Sequence, residues 1–206
     1  PTITLADVNA ELRNIWTGSR PLVFITDEKK VDVSEVAQVL DSSRQVAVLP
    51  PKNYDNLAFA YNDFGTPGQV VADTRIADLG IRTIRFANNV RLNLKKTDFE
   101  KGSVRYSVRV AGGQLALPKS EPGLAAMITT LWPIGALEKH SAEDLRQLLA
   151  GRNVQSGLTT DEDAFVSAGT TSPEDLPLQM KLSAAFLTEP GYRREAATRW
   201  TSMLPV

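Results

Sequence analysis

Apolar residues recur at helical spacing near the start of the chain. Leu5, Val8, Leu12, Ile15 and Trp16 fall on one helical face, and Thr4 with Asp7 three residues later has the spacing of a capping box. Gly18 is placed to end that helix. Leu22-Val23-Phe24-Ile25 is a short apolar run that predicts a buried strand. Asp32 then caps a second helix, with Glu35 in its first turn and Val36, Val39 and Leu40 on one face. Gln45 to Leu49 predicts another strand. Pro50-Pro51 breaks the pattern, and from there to Gly80 no period holds. Tyr54, Phe59, Tyr61 and Phe64 lie in this stretch and call for burial, so it reads as an ordered connector lying along the surfaces it joins.

Residues 81–111 alternate. Ile84-Arg85-Phe86 and Val90 to Lys95 flank Ala87-Asn88-Asn89, a plausible hairpin turn because Asn tolerates positive φ. Val104, Tyr106, Val108 and Val110 alternate with Arg105, Ser107 and Arg109, and Gly112-Gly113 ends the strand. This predicts a sheet with one apolar face and one basic face. Gly123 to Leu131 is an apolar helix stopped by Pro133. Ser141 and Asp144 open a compact helix with Leu145, Leu148 and Leu149 inside, ended by Gly151. Two short strands flank the turn at Thr159 to Glu162. Ser172-Pro173-Glu174-Asp175 starts a helix that runs through Leu187, and Pro190-Gly191 separates it from a last helix at Tyr192 to Met203. The fold class implied is α+β, a largely antiparallel sheet covered by helices on one face.

Composition narrows the function classes. The 206 residues are 42% apolar and 23% charged, with a formal net charge of -1. That is ordinary globular composition with no global pull toward nucleic acid or anionic lipid. No apolar run is long enough for a membrane span. With no cysteine in the chain, disulfides, thiolate metal sites and cysteine nucleophiles are all excluded. There is no initiator Met and no signal peptide, and Pro205-Val206 closes the chain abruptly. Both ends read as cut points of a longer protein.

The order of the elements carries a resemblance. Phe86-Ala87-Asn88-Asn89-Val90-Arg91-Leu92 is followed by Gly112-Gly113, then Pro122-Gly123-Leu124-Ala125, then Leu145 to Gly151. Val166 to Thr171 and Leu187-Thr188-Glu189-Pro190-Gly191-Tyr192-Arg193 complete the series. Collinearly, it resembles a repeat of the M16 zinc peptidases (pitrilysin or insulinase-like). There a hairpin of the form F-x-N-G-V-x-L precedes a Gly-Gly pair, a G-L-A-H-x-x-E-H helix and an L-x-x-P-x-F helix end. The resemblance implies three segments: the tail of a preceding repeat at 1–49, an inter-repeat connector at 50–80, and the opening part of a degenerate repeat at 81–206.

The family's chemistry lies in H-x-x-E-H. Two His at i and i+4 share one helical face and hold zinc, and the Glu acts as general base on the zinc-bound water. Aligning Gly123-Leu124-Ala125 places the two His positions at Ala126 and Thr130 and the Glu position at Thr129. Alanine has no ligand atom, and a threonine hydroxyl is a poor substitute for imidazole. The family's third ligand, a glutamate, falls near or past the end of the chain. The resemblance therefore implies no catalytic residue and no zinc in this chain, with zinc in the active repeat of its parent. It implies partners in the remaining repeats of the same polypeptide and a peptide substrate, and a periplasmic location.

The other candidates read plainly. His140, the only histidine, precedes a helix cap and reads as a surface residue at a helix entry rather than a general base, because no Ser or carboxylate constellation is signposted beside it. Ser141 is better used as an N-cap than as a nucleophile. Arg85, Arg91, Lys95, Arg105 and Arg109 read as a solvated sheet face, although in an M16 chamber they could meet substrate carboxylates. Nucleic acid is disfavoured because that face has no stacking aromatics. Met127 and Trp132 read as core. Asp161-Glu162-Asp163 lacks the spacing of a calcium loop and reads as a solvated turn. Two functions remain: a non-catalytic part of an M16 peptidase that helps form its peptide chamber, or a structural assembly subunit with the same fold and no peptidase.

Overall fold

The structure is a computed structural model that describes residues 2–16, 22–47, 54 and 56–203. The chain divides into two compact units, Pro1–Lys52 and Asn53–Val206.

In the first unit, α1 spans Leu5–Ile15 and α2 spans Val33–Arg44. The capping box is present. Asp7 N donates to Thr4 Oγ1 at 3.2 Å, and Thr4 N donates to Asp7 Oδ2 at 2.8 Å. Asp32 Oδ1 caps α2 by accepting from Ser34 N at 2.7 Å. Neither helix has a buried residue. The strand expected at Leu22–Ile25 does not form. Leu22 is 98% and Phe24 89% exposed, and no ladder pairs with them among the described residues. An apolar run becomes a strand only where a neighbour offers backbone partners. Gln45 is the C-cap of α2 rather than the first residue of a strand. Gly18 and residues 48–50 lie outside the described residues.

Among the described residues, the second unit contains two three-stranded antiparallel sheets. The first is a meander of β1 (Val70–Ile76), β2 (Ile81–Phe86) and β3 (Arg91–Lys95). The β2–β3 turn is the expected one, with Asn89 at φ 67°. β1 falls inside the stretch where the sequence shows no period. All seven of its residues are exposed, so it has no buried face to write an alternation into the sequence. It is held by its pairing with β2 and by the ion pair of Asp73 with Arg82, 2.6 Å at its shorter contact.

The second sheet has the order β4-β6-β5, from β4 (Val104–Ala111), β5 (Thr159–Thr160) and β6 (Ala164–Thr171). The single basic-faced sheet expected over 81–111 is therefore split. β4 pairs along its whole length with β6, Val104 opposite Thr171 and Ala111 opposite Ala164, and not with β3. Alternation shows which residues share a face, but it does not show which strand comes next. After β4, Gly112 and Gly113 both take positive φ, and one 3-10 turn follows at Gly113–Ala116. A Cβ on Gly113 would fall on Ala164 N and Asp161 O, so the chain turns there against the β5–β6 connection.

Among the described residues, four α-helices complete the unit: α3 (Leu124–Gly135), α4 (Ala142–Leu148), α5 (Leu176–Thr188) and α6 (Arg194–Met203). Pro133 does not stop α3. The helix runs past it to Gly135 and ends at Ala136 with φ 54°. α3 packs on β5 and α6, and α5 packs on β6. The core gathers Leu137, Leu145, Leu182, Ala185 and Phe186, with Trp132 stacked on Phe186 at 5.5 Å. Leu182 is 0% and Phe186 2% exposed. Burial of each such side chain stabilises the fold by about 1.5–3 kcal/mol. The ends of α3 and α5 are joined by a backbone bridge between Leu137 and Pro190, and Gly191 N donates to Ala136 O at 2.9 Å. A Cβ on Gly191 would collide with Gly135 O and Leu137 O.

The whole is the α+β arrangement of helices and antiparallel strands that the pattern implied, with the sheet in two pieces. Among the described residues, no helix is long and apolar enough to cross a membrane.

Candidate functional site

α3 carries the positions that the M16 motif would occupy. Gly123 starts it in the left-handed region at φ 95°, and Met127 N closes the first turn on Gly123 O at 2.9 Å. Ala126 is exposed, while Thr129 and Thr130 are half-buried. Thr129 Oγ1 lies 3.4 Å from Thr160 Oγ1 on β5, a side-chain link between helix and sheet. Positions 126 and 130 share a helical face by their spacing. They offer one methyl group and one neutral hydroxyl. This donor set does not fit a zinc site, which needs imidazole, thiolate or carboxylate ligands. Among the described residues, no group of three or more His, Cys, Asp or Glu is arranged to hold a metal ion.

Beside these positions runs an apolar groove of about 500 Å³. It is lined by Met127, Ile128, Leu131 and Trp132 of α3, by Val110 and Phe165 of the second sheet, and by Leu187, Tyr192 and Ala196. Trp132 is thus both core, through Phe186, and groove lining. Arg193, also in the lining, is directed into backbone. One of its Nη atoms donates to Leu137 O at 2.8 Å and Glu138 O at 3.1 Å, tying the start of α6 to the end of α3. Chemically, the groove can take apolar side chains.

The basic residues divide with the sheets. Arg85, Arg91 and Lys95 are exposed on the first sheet. Arg109 on the second reaches Asp161 and Asp163, each at 3.1 Å, and Arg105 approaches Glu100 at 3.7 Å. The acidic turn expected to be merely solvated is the counter-charge of Arg109. Exposed pairs of this kind contribute about 0–1 kcal/mol each, so the pairing sets local geometry more than stability.

His140 is not a surface residue. It is 4% exposed. Its Nε2 accepts from Ala60 N at 2.9 Å, Phe59 stacks on its ring at 5.7 Å, and Tyr61 meets it edge-on at 5.8 Å. Burial lowers its pKa from the ordinary histidine value, and Asp144 pulls the other way. An Nε2 that accepts an amide proton is unprotonated, so the neutral ring carries its proton on Nδ1. The aromatics at 59 and 61 did signal burial in the sequence. Nothing there linked them to a histidine so far along the chain. Ser141 is the N-cap expected: Asp144 N donates to Ser141 Oγ at 3.1 Å, and Ser141 N donates to Asp144 Oδ2 at 3.0 Å.

Two solved proteases share this fold. One is the ferredoxin protease FusC, solved as a point mutant in complex with Arabidopsis ferredoxin. Its TM-score is 0.60 at 14% identity, over 98% of this chain and 23% of that one. The other is the periplasmic protease PqqL from Escherichia coli, with a TM-score of 0.60 at 12% identity, over 84% of this chain and 19% of that one. The chain thus spans about a quarter of FusC and about a fifth of PqqL. At these identities the likeness shows the fold alone. No protein-family model matches the chain, and no curated protein does.

Proposed function

We propose that this chain is a non-catalytic part of an M16-type zinc peptidase and helps to form the chamber that holds a peptide. The observation that carries the reading is α3. In a fold shared with two proteases, the helix aligned with H-x-x-E-H presents Ala126, Thr129 and Thr130, and Thr129 meets the sheet through Thr160. The collinear motifs from Phe86 to Arg193 support the same family. The groove beside α3 gives the chamber wall an apolar surface suited to peptide side chains.

On this reading the parent is a zinc-dependent endopeptidase, and its metal sits in another repeat of the same polypeptide. The likeness to a periplasmic protease supports a periplasmic parent. The emptied motif is equally compatible with an assembly subunit that has no peptidase anywhere. The two readings diverge at one place, the repeat preceding Pro1, where an intact H-x-x-E-H favours the enzyme.

The test is zinc content and peptide cleavage, measured on the 206-residue chain alone and then combined with the preceding region of its parent. The expected result is no stoichiometric zinc and no cleavage alone, with cleavage in the combination. Stoichiometric zinc and cleavage by this chain alone would overturn the assignment of Ala126, Thr129 and Thr130. An inactive, zinc-free combination would favour the assembly subunit.

A further inference from the structure

Within the second unit, the segment before β1 is fastened to the core in an unusual way. Leu57, Phe59 and Tyr61 turn inward, while Ala58, Ala60 and Asn62 are exposed, so residues 57–62 run as a strap with strand-like alternation. No strand pairs with it among the described residues. Three hydrogen bonds that use side chains hold it instead. Tyr61 is buried in the core cluster and its hydroxyl accepts from Lys139 N at 2.9 Å. Lys181 Nζ donates to Asn62 Oδ1 at 2.8 Å. Between these, the Ala60 amide donates to His140 Nε2 at 2.9 Å.

The middle fastening works only with a neutral ring. A protonated imidazole is a donor at both nitrogens and accepts at neither. His140 Nδ1 is already buried without a hydrogen-bond partner. A proton on Nε2 would face the Ala60 N–H, donor against donor, beside the Phe59 and Tyr61 rings. We propose that His140 is an acid-labile clasp, whose protonation releases the 57–62 strap from the core of the second unit.

The charges around the ring agree with this direction. Burial is the largest influence and disfavours the imidazolium. Asp144 on α4 favours it, and Arg193 and Lys139 disfavour it. Lys139 is itself paired with Glu189 at 3.2 Å and sits 4.9 Å from the centroid of the Tyr61 ring. The released ring therefore binds a proton more tightly than the clasped one. The clasp is complete above the ordinary histidine value of about 6.5 and weakens as pH falls below it, until the lower pKa of the clasped ring is reached. One proton is taken up on release, so the ratio of closed to open strap falls by up to about tenfold per pH unit in that window.

The chain has a single histidine, so one proton NMR titration follows this group alone. The experiment pairs that titration with hydrogen exchange at the Ala60 amide, from about pH 7 to about pH 5, corrected for the intrinsic pH dependence of exchange. The His140→Gln variant runs in parallel, since a glutamine oxygen can accept from Ala60 but does not titrate. The expected result is a His140 midpoint below about 6.5 and an Ala60 protection that falls on acidification while the β4–β6 amides hold theirs. In His140→Gln, Ala60 protection should be flat. A flat Ala60 in the wild type would overturn the proposal. So would a fall shared equally by the β4–β6 amides, or an equal fall in the variant. If the variant does not fold, the wild-type comparison of Ala60 with β4–β6 decides alone.

Discussion

Gly113 concentrates two constraints on one residue. Its φ of 54° is unfavourable for a side-chain-bearing residue, and a Cβ there would meet Ala164 N and Asp161 O, both backbone atoms of the β5–β6 connection. Neither can swing aside as a flexible side chain could. Gly113→Ala is therefore expected to destabilise the second unit by about 2–4 kcal/mol, read as a lower midpoint in urea unfolding. A loss below about 0.5 kcal/mol would mean that the crossover after β4 is not tight. The pair Gly112-Gly113 was legible as a strand end. The reason for the second glycine was not, because its neighbours come from a strand some fifty residues later. His140 shows the same limit. Beside Ser141 it looked like a residue at a helix entry, and only Phe59, Ala60 and Tyr61 make it a buried acceptor. Residues whose role is local could be read from the sequence, whereas those whose role is a distant contact could not.

The capping boxes were the most readable features at the scale of elements, whereas the helix start read at Ser172-Pro173 falls at Leu176, with Asp175 as its N-cap. Thr4 with Asp7 and Ser141 with Asp144 both form reciprocal capping boxes, since a cap needs only its own first turn. Ser141→Ala removes the side-chain acceptor for Asp144 N and is expected to cost about 1 kcal/mol. Thermal unfolding should show the lower midpoint, and Ser141→Asp should recover most of it. Pro133 misled for a physical reason. A proline inside a helix forfeits the bond to the carbonyl four residues earlier, here that of Thr129, but it does not forbid a further turn. α3 continues to Gly135, where packing of Trp132 on Phe186 holds its last turn in place. β1 and the run at Leu22 to Ile25 erred in opposite directions. The first is a strand with no buried face, and the second is an apolar run with no ladder. Pairing decides both, and pairing is not written into either segment.

The two units differ in what holds them. The second has a buried core around Leu182 and Phe186, whereas α1 and α2 of the first bury no residue. Isolated helices of about a dozen residues are marginal in water. Amides of α1 and α2 are therefore expected to exchange about a hundredfold or more faster than those of α5, measured by native-state hydrogen exchange. Comparable protection in all three helices would contradict this. The order of strands and helices from β2 to α6 was legible in the sequence, whereas the strands read in the first unit did not form among the described residues and β1 was not read. The partition of the strands into two sheets was not legible, because β4 finds its partner only after α3 and α4 have intervened.

The junction of α3 and α5 behaves like a rivet whose shank is a glycine. Gly191 lies so close to Gly135 O and Leu137 O that the backbone bridge at Leu137 and Pro190 tolerates no side chain there. A methyl group at 191 would part the ends of the two helices, and the groove whose lining includes Gly135, Pro190 and Gly191 would change shape with them.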